Sequence, residues 1–221
     1  TPYSVAPYGA NEYRAQLGPS PLFMKEGFIF VYQDVRGRNM SEGDFAWMRP
    51  YKPKKANATD ADETTDTWDT IEWLLKNIPN NNGRIGQWGI SYPGHYSAQS
   101  LIDPHPALKA VSPQAPMADN WLGDDMHHNG AFFLPHAFNF IINFGRPRTG
   151  PGVAQFSRFD HGTTDGYKFF LEMGALPNAQ KYMKNEIKLW DEWMQHGDYD
   201  EYWAAQNVPQ HLKKVTPAVM T

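Results

Sequence analysis

The sequence predicts an α/β fold, a mostly parallel sheet with flanking helices and a helical insertion, and three observations carry that prediction. Two apolar runs, residues 27–35 and 84–90, bracket a segment with helical periodicity, which is the strand–helix–strand order of a parallel crossover. The second run ends in a glycine- and serine-rich turn that passes directly into another helical segment. From Ala115 the composition shifts to amphipathic stretches separated by glycine- and proline-rich loops.

Taken in order, Gly27 to Val35 is rich in β-branched and aromatic types and reads as a buried strand that pairs near the second run. It empties into Arg36-Gly37-Arg38 and Ser41-Glu42-Gly43, whose spacing lacks the lysine and following hydroxyl of a phosphate-binding loop. Ion pairing by Asp34, Arg36 or Glu42 is the expectation there. Residues 46–64 are proline-broken and polar and read as a surface excursion, with Lys52, Lys54 and Lys55 on a solvated loop. Trp68, Ile71, Leu74 and Leu75 then form a helical stripe, with acids in the first turn and a lysine in the last as the helix dipole favours. Pro79 to Gly83 ends that helix and turns the chain into the strand Arg84–Ile90; a helix over about Gly94–Leu101 and a strand at Leu108–Ser112 follow. Beyond them, Ala131–Phe144, Tyr167–Met173 and Lys184–Gln195 have helical stripes, and Val215–Thr221 reads as the start of a further strand. The division this implies is 1–114 for the sheet-bearing core, 115–210 for a helical cap, and 211–221 for the return to the core.

The turn Gly89-Ile90-Ser91-Tyr92-Pro93-Gly94 is where chemistry is expected. A strand that bends sharply into a helix presents one hydroxyl at the carboxyl edge of the sheet, where ligands bind. Glycines two residues on either side of the serine leave room where strand and helix nearly touch; here Gly89 fits, while Pro93 takes the second place and Gly94 follows it. Glycine and serine also fill ordinary turns, so the pattern alone leaves that alternative open. Ser91 is the candidate nucleophile, and the backbone N–H of Tyr92, at the start of the following helix, is a candidate oxyanion donor.

The string GRIGQWGISYPGHYS, with TPY at the start, QDVRGR at 33–38, SEGDF at 41–45 and DTWDTIEWL at 66–74, resembles a family of serine hydrolases. That family includes α-amino acid ester hydrolases, cocaine esterase, glutaryl-type cephalosporin acylases and X-Pro dipeptidyl peptidases. Its elbow reads glycine, any, serine, tyrosine, any, glycine, so Pro93 before Gly94 is its normal form. SPQAPMADNWLGDDMHHNGAF, residues 112–132, resembles the α-amino acid ester hydrolase branch. The resemblance implies an α/β-hydrolase fold with a helical cap and hydrolysis or acyl transfer on esters or amides of α-amino acids, β-lactam side chains among them. It implies no cofactor and makes an X-Pro dipeptidyl peptidase or a glutaryl-type acylase the alternative. It also implies that the Tyr3 hydroxyl completes the oxyanion hole and that Asp125, 34 residues after Ser91, with Asp124 as the second choice, binds the substrate ammonium. A carboxylate facing a cationic amine in a desolvated pocket would select α-amino acyl groups. Export to the periplasm or medium and tetrameric assembly are implied by resemblance alone.

Composition narrows the classes. The 221 residues carry a formal charge of −4 and no basic cluster beyond the lysine trio, which argues against nucleic acid as a partner. No apolar run approaches the ~20 residues of a membrane span. The absence of cysteine excludes disulfides and thiolate zinc sites. Asp124-Asp125-Met126-His127-His128 is dense in potential ligands, but neighbours in a loop rarely all face one ion, and no metal is expected. Eight tryptophans read as packing residues before any stacking platform.

A serine nucleophile of this fold takes its acid and then its base from later in the chain. His95 is too close to Ser91 to serve, and no histidine from His105 to His211 follows a strand end with an acid before it. The opening on Thr1-Pro2-Tyr3, with no strand before it, and this missing pair lead us to expect a piece of a longer polypeptide, with an aspartate and a histidine beyond Thr221. A hydrolase fold without activity, acting as a binding protein, is the reading from a different class.

Overall fold

The structure, a computed structural model, describes residues 17–57, 59–152 and 158–221. A short helix α1 (Pro21–Lys25) precedes α2 (Glu63–Asn77), β1 (Ile85–Ile90), α3 (Tyr92–Gln99) and β2 (Leu108–Gln114). A hairpin of β3 (His127–His128) and β4 (Ala131–Phe132) leads to the helices α4 (Leu134–Phe144), α5 (Gly166–Met173), α6 (Gln180–Met183), α7 (Lys188–Gln195) and α8 (Glu201–Ala205), and β5 (Ala218–Val219) closes the chain. Strands β1, β2 and β5 form one parallel sheet in that order, with Gln87 opposite Val111 and Val111 opposite Val219.

Helix α2 forms where the sequence places its start signals. The Asp62 carboxylate accepts the Thr65 N–H at 2.9 Å, and the Thr65 hydroxyl accepts the Asp62 N–H at 2.7 Å, a reciprocal cap. Ile71 packs with Leu101, Leu108 and Val111, so α2 lies with α3 on the same face of the sheet. The opposite face exposes Trp88 and Ile90 of β1.

The strand expected at 27–35 is absent. Residues 28–35 make no ladder, and Phe28, Ile29, Val31 and Tyr32 stay exposed. The segment runs beside α2 instead, where the Gln33 amide donates to the Thr70 hydroxyl at 2.9 Å. β-propensity supplies a pleat that fits a sheet but no edge to pair with, and without a partner edge the segment stays irregular. The crossover observed is therefore β1–α3–β2.

Two smaller expectations also fail. Residues 46–64 are not wholly a surface excursion, because Trp47 and Met48 are buried. Of the lysine trio, Lys55 pairs with the buried Asp62 and Lys52 with Asp60. The expected helix at Ala131 starts at Leu134, because Asn129 and Gly130, both at positive φ, form a two-residue turn that pairs 127–128 with 131–132.

One apolar cluster runs from Met48, Tyr92 and Tyr96 through Phe138, Ile141 and Phe144 of α4 to Trp190 and Trp193 of α7 and Trp203 of α8. Aromatic edges carry much of it: the Trp47 ring meets Tyr92 at 4.8 Å and Trp193 at 5.5 Å between centroids. The helical segment thus shares its core with α3.

Candidate active site

Ser91 sits between β1 and α3 with φ 63° and ψ −124°, a conformation that residues with a Cβ rarely adopt. Its surroundings leave no alternative. Its N–H donates to Gln114 O at 3.0 Å, and its carbonyl accepts the His95 N–H at 3.0 Å, so sheet and helix both hold the residue while the chain reverses direction across it. The glycines that flank it are sterically required: a Cβ on Gly89 would stand 2.2 Å from Pro93 O, and one on Gly94 2.5 Å from Gln114 O. The close approach of strand and helix, which the glycine spacing anticipated, is what these distances express.

Ser91 is half-buried, and no hydrogen bond engages its hydroxyl as an N-cap. Everything behind it is packed: from Tyr92 to Gln99 every residue but Pro93 is buried. As the first helical residue, Tyr92 has an N–H with no acceptor inside α3, and the positive end of the helix dipole adds to it. A part-exposed serine at a sharp bend, next to an amide donor with no acceptor inside its helix, suits nucleophilic attack on a carbonyl whose oxygen turns to that amide.

The Tyr92 side chain faces the other way. Its hydroxyl accepts the Met48 N–H at 3.0 Å, its ring stacks on Tyr96 at 5.1 Å, and burial drives its pKa far above the ordinary phenol range. Its side chain is committed to packing, and only its backbone N–H is left at the elbow.

Asp124 and Asp125 sit in the turn before β3 with different tasks. The Asp124 carboxylate accepts the N–H groups of Ala118, Asp119 and Asp125, the last two at 3.2 and 2.8 Å, and burial pushes its pKa up. It holds the turn. Asp125 is exposed and gives only its backbone N–H to that network. Tyr3 lies outside the described residues. Among the described residues no group of three His, Asp or Glu side chains could hold a metal ion.

Each polar histidine contact leads away from the nucleophile. His95, fully buried, donates Nδ1–H to Met117 O at 2.9 Å, and burial lowers its pKa to about 4. His105 pairs with Glu72 at 2.7 Å, His127 donates to Asn120 O at 3.0 Å, His161 binds Asn139 at 2.7 Å, and His196 pairs with Asp200 at 2.5 Å. Among the described residues, none of these imidazole rings bonds to the Ser91 hydroxyl. A hollow of about 860 Å³ opens in the helical segment beside Asn139, Phe159, His161, Tyr167 and Phe170, and the elbow contributes no residue to it.

Sequence reasoning missed one feature behind the elbow. Glu63 and Gln99 are buried around Arg49, whose Nε lies 3.8 Å from Glu63 Oε1 and whose carbonyl accepts the Gln99 amide at 3.4 Å. The i, i+4, i+7 spacing of Tyr92, Tyr96 and Gln99 was a signal for it, since those side chains share one helix face.

Residues 1–221 match the family model described as X-Pro dipeptidyl-peptidase (S15 family). Cocaine esterase of Rhodococcus sp. (strain MB1 Bresler) is 26% identical over 213 residues, covering 90% of this chain and 34% of that protein. Among solved structures, an α-amino acid ester hydrolase labelled with selenomethionine superposes with a TM-score of 0.78 at 34% identity, over 90% of this chain and 31% of that one. An aminopeptidase from a marine sediment Thaumarchaeota archaeon gives 0.77 at 36% identity, over 89% of this chain and 32% of that one. The chain spans about a third of the length of these relatives.

Proposed function

Because this chain belongs to the X-Pro dipeptidyl-peptidase (S15) family of α/β-hydrolase fold, we propose that it carries the nucleophile of a serine hydrolase acting on esters or amides of α-amino acids. The observation that carries the reading is the backbone of Ser91, held at φ 63° and ψ −124° between two glycines that admit no side chain. Such strain persists where function requires the geometry it creates.

In this mechanism the Ser91 hydroxyl gives up its proton and attacks the substrate carbonyl, the Tyr92 N–H donates to the oxyanion, the intermediate collapses with loss of the alcohol or amine carrying that proton, and the acyl group on Ser91 is then transferred to water or an amine. Tyr3 is proposed as the second oxyanion donor. Asp125, exposed and free of the turn-holding bonds that occupy Asp124, is the better placed of the two for a substrate ammonium. The base that takes the Ser91 proton, and the acid that orients it, are proposed to come from a part of the whole protein outside these residues. Small-molecule esters and amides are the proposed ligands. The ester hydrolase at 34% identity and the aminopeptidase at 36% both support a substrate with an α-amino acyl group, and an X-Pro dipeptidyl peptidase is the alternative reading.

The test is covalent labelling of the whole protein by a fluorophosphonate, together with the p-nitrophenol burst from an activated ester. Ser91→Ala is expected to abolish both. Equal labelling of the variant would end the serine reading and leave a binding protein on a hydrolase fold. With the nucleophile established, an α-amino acid ester and its N-acetylated counterpart separate the substrate classes: the free amine is expected to be preferred, and Asp125→Asn to erase the preference.

A further inference from the structure

His95 is fully buried and takes no part in the hydrolytic mechanism, yet its hydrogen bonds join the elbow to the turn that carries Asp125. Its backbone N–H donates to Ser91 O at 3.0 Å, one helical turn back. Its ring leaves α3 and meets Met117 O at 2.9 Å through Nδ1. A carbonyl oxygen can only accept, so Nδ1 carries the proton. The far side of that same peptide unit is the Ala118 N–H, which donates to the Asp124 carboxylate. Asp124 also accepts the Asp119 N–H at 3.2 Å and the Asp125 N–H at 2.8 Å. From imidazole N–H to peptide C=O and from peptide N–H to carboxylate, the bonds run in one direction, so each polarises the next.

We infer that His95 is a positioning residue for substrate selection: through the Met117–Ala118 peptide and Asp124 it fixes the Asp125 turn relative to the first turn of α3, and so to Ser91. The inference rests on the reading above of Ser91 as nucleophile and Asp125 as the group that binds the substrate ammonium.

Other bonds hold the turn in shape or tie it elsewhere. The Asp119 carboxylate accepts the N–H groups of Trp121 and Leu122, both at 3.0 Å, and the Val208 N–H donates to Ala118 O at 2.9 Å. The His95 bond is what reaches α3. Without it the Met117 carbonyl loses its donor, and rotation of that peptide would take the Ala118 N–H off Asp124. Asp125, exposed and bonded to Asp124 through its N–H, would shift with the turn. A shift of ~1 Å in a positioning group can cost ~10² in rate, and here only a substrate that uses the ammonium contact would feel it. Because His95 Nε2 is buried with no partner among the described residues, a side chain that replaces only the Nδ1 donor loses no other hydrogen bond. Asparagine does so, since its Nδ2 stands where the imidazole Nδ1 stood.

The measurement, on the whole protein, is kcat/KM for an α-amino acid ester relative to its N-acetylated counterpart, with fluorophosphonate labelling of Ser91 reporting on the elbow itself. His95→Leu fills the space without a donor. Its ratio is expected to fall on the order of tenfold through a higher KM for the free amine, while the N-acetylated ester and the labelling rate stay at the parent's level. His95→Asn is expected to keep the parent's ratio. Should His95→Leu fail to fold, His95→Gln takes its place: it is as polar as asparagine but carries its amide one carbon further out, and its ratio should fall as His95→Leu's would. An unchanged ratio in the leucine or glutamine variant, an equal loss on both esters, or a fall of the same size in His95→Asn overturns the inference. Failure of the underlying reading looks different: labelling would survive Ser91→Ala, or the parent itself would show no preference for the free amine.

Discussion

Ser91 is held in a backbone conformation that residues with a Cβ rarely adopt. A residue with a Cβ at φ 63° and ψ −124° carries about 1–3 kcal/mol of strain. The side chain makes no cap bond that would offset it. Ser91→Gly should therefore stabilise the fold by about 1 kcal/mol, the strain relieved less the ~0.4–1 kcal/mol of extra unfolded-state freedom that glycine brings. Ser91→Ala keeps the Cβ and should match the parent. Urea midpoints at constant m-value measure both, and a glycine variant less stable than the parent would show that the bend is not strained. At this scale the sequence was informative for a steric reason: glycines at 89 and 94 mark where Pro93 O and Gln114 O crowd the backbone, and any folded form of this turn needs them. The partition between Asp124 and Asp125 was not legible, because it depends on which carboxylate the Ala118, Asp119 and Asp125 N–H groups reach.

Helix α3 is enclosed by groups whose burial acts on stability in opposite senses. Glu63 has its pKa raised from 4.5 to about 8, so the folded state holds a proton that the unfolded state has lost, and stability falls as pH rises through that window. His95 has its pKa lowered from 6.5 to about 4, so the unfolded state binds the proton first, and stability falls as pH drops from 6.5 toward 4. Asp124 and His127 shift in the same two directions. Between about pH 4.5 and 6.5 the Glu63 and His95 slopes oppose each other, and from 6.5 to about 8 the Glu63 slope stands alone. The expected profile is level and then declining, whereas Glu63→Gln should rise from pH 4 to 6.5 and stay flat beyond; thermal midpoints across that range give the answer. The elements themselves were largely readable. Helices α2, α5 and α7 and strands β1 and β2 lie within a few residues of the sequence reading, because caps, dipole charges and apolar stripes are local signals. Residues 28–35 were misread because their apolar pattern reports a preference, while a strand also requires an edge.

Across the whole molecule, a single aromatic core binds the sheet-bearing part to the helical segment. Trp193 of α7 touches Trp47, which in turn touches Tyr92 beside Ser91. Trp193→Ala should cost about 3–5 kcal/mol, and loss of near-ultraviolet dichroism and of fluorophosphonate labelling should coincide in one transition. Two separate transitions would mean that the helical segment folds independently of the elbow. By itself the sequence determined strands β1 and β2, the bend at Ser91 and the helical character of the later part, since these follow from periodicity, capping and the absence of side chains at two glycines. Only the tertiary structure decided that residues 28–35 run beside α2, that Trp47 and Met48 enter the core, and that Glu63 is buried. Those outcomes depend on which surfaces meet across distant stretches of chain, and the burial that shifts a carboxyl or fixes a tyrosine exists only once they have met.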